Sequence, residues 1–143
     1  MLVSHILRQK GRDVVTVAPT SVLAEVARTL AKRRIGAVVV IGPKGDVAGI
    51  LSERDIVHAL ALDGTQALSR SVSTYMTRSV ATCEGQDTID AIMETMTEGR
   101  FRHLPVVEDE RLCGIISIGD VVKTRIEESE REASALKQYI AAG

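Results

Sequence analysis

Apolar positions along this chain fall into two regimes, short β-branched runs and longer stretches recurring every three to four residues, and the order of these regimes occurs twice. In the first half, residues 13–17 read as a short strand, and Pro19-Thr20-Ser21 supplies a turn and an N-cap for a helix. Val22, Val26 and Leu30, with Ala27 and Ala31, line one face of that helix and charges line the other. Residues 37–41 form a continuous run typical of a strand buried on both sides. Gly42-Pro43-Lys44-Gly45-Asp46 turns the chain back into a partner strand at 47–51. A second helix starts near Ser52 and is expected to turn Ile56, Val57 and Leu60 inward.

The second half repeats this plan. A strand is expected at 80–83, then a helix from Asp87 with Ile89, Ile92, Met93 and Met96 inside, hairpin strands at 104–107 and 112–116, and a helix from near Ser117. Thr16, Thr29 and Val40 align with Thr82, Thr95 and Val106 at a constant offset. One residue is then lost in a turn, after which Gly49, Ile50, Ser52, Asp55 and Val57 align with Gly114, Ile115, Ser117, Asp120 and Val122. Even the lead-ins agree, residues 3–7 resembling 72–76 in pattern. The expectation is an α/β (α+β) fold of two strand-helix-strand-strand-helix repeats, at 1–62 and 71–126, joined by a linker at 63–70.

The last helix continues past the repeat through an extension at 127–143. Val122, Ile126, Ser129, Ala133, Leu136 and Ile140 alternate by four and three residues, which is a short heptad seam. Glu127 and Arg131 stand four apart in the favourable order, but a helix of this kind needs its seam packed to persist. The seam suits either packing on its own domain or self-association.

Composition removes several classes of function. One Phe, two Tyr and no Trp in 143 residues leave no platform for stacking bases, and a net charge of −1 gives no general attraction to nucleic acid or anionic membranes. No apolar run approaches the roughly twenty residues that span a bilayer, and the N-terminus lacks a secretory pattern, so a cytoplasmic protein is expected. Cys83 and Cys113 sit among apolar neighbours, as buried reduced thiols do. His5, His58 and His103 have no metal-ligand spacing, and no nucleophile stands with a base, so neither a metal site nor an enzyme is expected.

The candidate chemistry lies at a joint that both halves share, a strand ending in Ser-x-x-Asp at a helix start: Ser52 with Asp55, and Ser117 with Asp120. A capping box accounts for that spacing. The same corner also offers helix N–H groups to a phosphate and a carboxylate to two vicinal ribose hydroxyls. A second cluster, Gly99-Arg100-Phe101-Arg102-His103-Leu104-Pro105, sets charges where a helix turns into a buried strand, and guanidinium groups suit phosphate. Arg34 corresponds to Arg100, whereas Gly36 and Ala37 stand where the second half has Arg102 and His103.

These features together resemble a pair of CBS domains, the arrangement called a Bateman module, over nearly the whole chain. The resemblance rests on the repeated unit, the paired Gly-apolar-apolar-Ser-x-x-Asp phrases and residues 101–107. It implies two repeats about a pseudo-twofold axis, with two clefts for adenosine compounds. Asp55 and Asp120 would hold ribose, Ser52 and Ser117 would lie near phosphate, and Thr16 and Thr82 would lie near the ligand. Backbone around Gly36, Ala37, Arg102, His103 and Pro105 would frame adenine, while Arg34, Arg100, Arg102 and His103 neutralise phosphate. Arg54 in one half and Ile118-Gly119 in the other make the clefts inequivalent, and Gly119 favours the cleft built on Ser117 and Asp120.

The resemblance implies a non-catalytic sensor. AMP and NAD(H) are the first expected ligands, ADP or ATP follow, and S-adenosylmethionine is disfavoured because its sulfonium is already positive. A homodimer and a separate regulated protein are the expected partners. The rival reading is an oligomerisation or interaction scaffold with vestigial clefts.

Overall fold

The computed structural model describes residues 1–142. Its secondary structure follows the expected unit twice, except that among the described residues the second repeat lacks its opening strand. In the first, β2 (Ala37–Ile41) is the centre of a three-stranded sheet, parallel to β1 (Thr16–Val17) and antiparallel to β3 (Val47–Ser52). Ala37, Val38, Val39 and Val40 are all buried, which is what the unbroken β-branched run anticipates. Helices α2 (Leu23–Arg33) and α3 (Glu53–Asp63) flank this sheet in sequence. In the second unit, β4 (His103–Glu108) and β5 (Arg111–Ser117) form an antiparallel pair between α4 (Ile89–Gly99) and α5 (Ile118–Ala142). A short helix α1 (Val3–Lys10) precedes everything.

The two hydrophobic cores show a connection that periodicity alone does not reveal. Val3, Ile6 and Leu7 of α1 belong to the core of the second repeat, with Ile89, Ile92, Met96, Leu104, Val106 and Ile116. Val72 and Met76, the matching lead-in of the second repeat, belong to the core of the first, with Leu23, Val26, Leu30, Val38 and Leu51. Each repeat therefore lends its opening segment to the other. The repeated glycine of the Gly-apolar-apolar-Ser phrase serves this exchange. A Cβ on Gly49 would stand 2.7 Å from Met76 Sδ and 2.9 Å from the Thr77 carbonyl, and one on Gly114 would stand 2.7 Å from Leu7 Cδ2.

Several sequence expectations are corrected. Residues 13–17 contribute only Thr16–Val17 as strand, and 80–83 contribute a single parallel bridge between Cys83 and Val106. The N-cap of α2 falls on Val22, because Ser21 Oγ is spent accepting the Ala18 N–H at 3.1 Å. Leu23, not Val22 or Ala31, completes the inner face of α2. In α3 the buried residue is Ala59, while Val57 and Leu60 are 63% and 38% exposed. Helix α4 is capped by Thr88 and leaves Met93 37% exposed. The segment 63–70, between the two repeats, has structure of its own: Gly64–Ser69 is a 3-10 helix whose Ala67 is fully buried.

The seam of α5 does not pack on its own domain. The body is met by Val121 and Thr124, whereas Val122, Ile126, Leu136 and Ile140 are about half exposed or more, at 48%, 54%, 60% and 67%. None of the described helices is long and apolar enough to cross a membrane. Cys83 is buried and Cys113 only half-buried, and both are free thiols. Burial pushes the Cys83 thiol up to about 12, so it stays protonated at neutral pH.

Candidate functional site

Both strand-to-helix corners are pinned in the same way. The first N–H of α3, from Glu53, donates to the Gly36 carbonyl at 3.0 Å, and that of α5, from Ile118, donates to the Arg102 carbonyl at 2.8 Å. Strand register sets Ala37 opposite Ser52 and His103 opposite Ser117. Each corner therefore meets the residue that opens the first hairpin strand of its own repeat.

Each corner also closes a capping box. The Ser52 N–H donates to Asp55 Oδ2 at 2.8 Å, and the Asp55 N–H donates to Ser52 Oγ at 3.3 Å. The Ser117 N–H and Asp120 Oδ2 repeat this at 2.8 Å, with the Asp120 N–H on Ser117 Oγ at 3.2 Å. With the first helical N–H already bound to Gly36 or Arg102, three of the N–H groups expected to attract phosphate at each helix start are satisfied within the chain. Both carboxylates turn back onto their own helices, but every one of these bonds falls on Oδ2, leaving Oδ1 of each to face other donors.

The two corners then diverge. A cavity of about 310 Å³ opens at the first, lined by Gly36, Ile50, residues 52–55, Thr77, Ser79, Val80, Ala81 and residues 99–103. That volume lies at the lower end of the range for small-ligand sites. At the second corner, Lys10 from α1 reaches in: its Nζ donates to Asp120 Oδ2 at 2.7 Å and to the Ile115 carbonyl at 2.9 Å. The corresponding Ile50 instead pairs with the backbone of Thr77 in both directions, at 2.9 and 3.0 Å. Burial would raise the Asp120 carboxyl, but the Lys10 ammonium and the Ser117 N–H outweigh it and hold the group below its ordinary range.

Of the residues singled out in the sequence, Gly36, Ser52, Arg54, Asp55, Arg100, Arg102 and His103 meet around the cavity. Thr16, Arg34, Thr82, Ile118 and Gly119 are exposed and line no part of it, and Ala37 and Pro105 are buried in their strands. Ser117 and Asp120 form the separate corner held by Lys10. The preference for that second corner on the strength of Gly119 meets a physical obstacle, since a cation of the chain itself already sits there. Thr77, Ser79, Val80, Ala81 and Lys10 carry no motif and were missed; the signal for them was the match between the two lead-ins, whose exchange brings these residues to the clefts.

The charge of the cavity is distinctive. Arg54, Arg100 and Arg102 line it, and among the described residues none of the three takes part in a salt bridge. Arg100 and its counterpart Arg34 both adopt left-handed backbone, at φ 56° and 55°, as the residues that end α4 and α2. Glycine is the usual occupant of that position, and a side chain there costs about 1 kcal/mol or more. His103 packs against Gly36, where a Cβ would meet its Nε2 at 3.1 Å. Burial first, then the Lys10 ammonium, depresses the His103 pKa, with Glu53 and Asp120 opposing, so the ring is neutral at neutral pH.

Two repeats of one unit, with three guanidinium groups and the carboxylates of Glu53 and Asp55 gathered around a single cavity, define the class to which the fold belongs. The chain belongs to the CBS domain family, whose sequence profile matches residues 3–62 and 72–127. It is similar to a CBS-domain containing protein from Agrobacterium tumefaciens, with 54% identity, a TM-score of 0.84, and coverage of 87% of this chain and 92% of that one. A CBS domain protein from Pyrobaculum aerophilum, solved in complex with AMP, is 29% identical with a TM-score of 0.75 over 84% of this chain and 89% of that one. The CBS domain pair of protein MJ0100, solved with 5′-methylthioadenosine and S-adenosyl-L-methionine, is 26% identical with a TM-score of 0.80 over 90% and 98%.

Proposed function

We propose that the cavity at the Asp55 corner binds an adenine nucleotide and that the chain is a non-catalytic sensor that reports nucleotide occupancy to a separate protein. The carrying observation is the trio of guanidinium groups, Arg54, Arg100 and Arg102, which outnumber the two carboxylates of the cavity, Glu53 and Asp55, with Asp55 keeping one oxygen outside its cap. The trio suits a phosphate, and Asp55 Oδ1 suits a ribose hydroxyl pair. Ile50, Val80, Ala81 and Phe101 supply the apolar wall that a purine needs.

AMP is the first candidate because one phosphate matches the compact cationic cluster, and a complex of the Pyrobaculum relative with AMP supports it. NAD(H), ADP and ATP carry the same group with more charge to place. S-adenosylmethionine, a ligand of the MJ0100 pair, would bring a sulfonium toward three guanidinium groups here. The Asp120 corner is a second, weaker site, because a ligand there must first displace Lys10. A homodimer completes the reading, consistent with the exposed apolar side chains of α3, α4 and α5.

Calorimetry with AMP tests the assignment. Asp55→Asn, which keeps the shape of the cap, is expected to weaken binding roughly tenfold to a hundredfold, the effect of losing a charged hydrogen-bonding partner. Asp120→Asn should leave the tighter site within about twofold. Equal loss in the two variants, or none in Asp55→Asn while the protein stays folded by circular dichroism, would refute the placement.

A further inference from the structure

The C-terminal helix leaves an apolar stripe with no partner, and its charge pattern says what covers it. Helix α5 has 25 residues, about 37 Å at the ordinary rise per residue. From Ser129 onward every described residue is exposed, and although Arg131 and Glu132 border a groove shared with α1, no side chain of this half is buried against the body. An isolated helix of that length is marginal in water. Its apolar positions are nonetheless in register: Ile126, Ala133 and Ile140 occupy one heptad position, and Val122, Ser129 and Leu136 the other. At 100° per residue the centre of this stripe lies about 100° from Val121 and farther from Thr124, the side chains that meet the body.

The residues flanking the stripe distinguish the two ways in which a second copy can lie on it. In a parallel pair, the position preceding each Ile or Ala of the seam meets the position five residues on in the partner helix. That sets Arg125 against Glu130 of the other copy, and Glu132 against Lys137 of the other copy, so both contacts are attractive. An antiparallel pair sets Glu130 against Glu130, Glu132 against Glu132, and Lys123 against Lys137, so all three repel. Within its own chain Arg125 reaches Asp90 and Glu128, at 3.3 Å each, through Nη1 alone, which leaves the other terminal nitrogen for Glu130 of a second copy. Isoleucine and leucine at alternating seam positions also suit two strands, and Ser129 and Ala133 permit close approach midway.

We infer that residues 122–140 of α5 pair with the same residues of a second copy of this chain as a parallel, in-register two-stranded coiled coil. The inference rests on the homodimer reading and adds to it the surface, the direction and the residues. The symmetry is isologous, with the twofold axis along the helix pair and both bodies at the same end. Because α5 begins at the Asp120 corner, one rigid element joins a cleft to the place where the two copies meet.

Charge reversal in the full chain, read by analytical ultracentrifugation, is the test of direction. Glu132→Lys and Lys137→Glu each turn two attractive contacts per dimer into repulsive ones and are expected to raise the dissociation constant roughly tenfold. The double variant restores both contacts and should return it to the parent value. Disulfide trapping supplies the geometry, in a Cys113→Ser background. Leu136→Cys alone should oxidise to a covalent dimer, because identical positions face each other only in the parallel arrangement. Trapping confined to mixtures of Ile126→Cys with Leu136→Cys would mean antiparallel helices and overturn the inference. A dimer by ultracentrifugation with no trapping in either test would overturn it too and leave the homodimer standing. A parent protein that sediments as a monomer would remove both.

Discussion

At the scale of single residues, one position lining the cavity carries a backbone penalty that its counterpart in the other repeat shares. Arg34 and Arg100 both hold left-handed backbone where glycine would sit without strain. Only Arg100 lines the cavity, which makes the pair a controlled comparison. Arg34→Gly and Arg100→Gly should each stabilise the fold by up to about 1 kcal/mol in urea titrations. Arg100→Gly alone should weaken AMP binding. His103 carries a pH signature. Its folded pKa lies below the ordinary value of 6.5, so its contribution to stability is full above that value and is lost as pH falls through the folded pKa. Thermal unfolding between pH 7.5 and 5 should show a falling midpoint in the parent and a flatter profile in His103→Asn. An unchanged slope in the variant would place the effect on another group.

At the scale of elements, the sequence disclosed the two hairpins more faithfully than the opening strand of either repeat or the buried faces of the helices. The run 37–41 is legible because a β-branched segment buried on both sides tolerates no polar residue, and the hairpin 103–117 because two apolar runs flank the exposed polar turn at 108–111. In helix α3 the expected inner face holds in part: Ile56 packs against the core beside the small Ala59, whereas Val57 and Leu60, at the same helical spacing, stay exposed. Two apolar faces on one helix cannot be ranked from periodicity alone when one of them has no partner within the chain. Val57→Ser should accordingly change stability by less than about 0.5 kcal/mol, the range for an exposed site. The repeated glycine was legible as a turn signal but not as a packing requirement, since Leu7 and Met76 reach it from distant sequence. Gly114→Ala should cost about 1–3 kcal/mol, as overpacking does, by forcing Leu7 out of place. The cavity was half legible: Arg54, Asp55, Arg100, Arg102 and His103 could be named from motif and spacing, while Thr77, Ser79, Val80 and Ala81 arrive through the crossing of the lead-ins.

At the scale of the whole molecule, that crossing governs what can fold. Val3, Ile6 and Leu7 are at most 3% exposed, and burying side chains of this kind contributes about 1.5–3 kcal/mol each. Their sum rivals the entire 5–15 kcal/mol stability of an ordinary domain. A fragment that begins at residue 71 lacks all three and should show no cooperative melting, whereas adding the fragment 1–70 should restore it at equal concentration. The same interlacing bears on descent. A single-unit ancestor with this topology could not have closed its core alone; it would have had to trade opening helices with a sister molecule, as swapped dimers do, before gene fusion made the exchange internal.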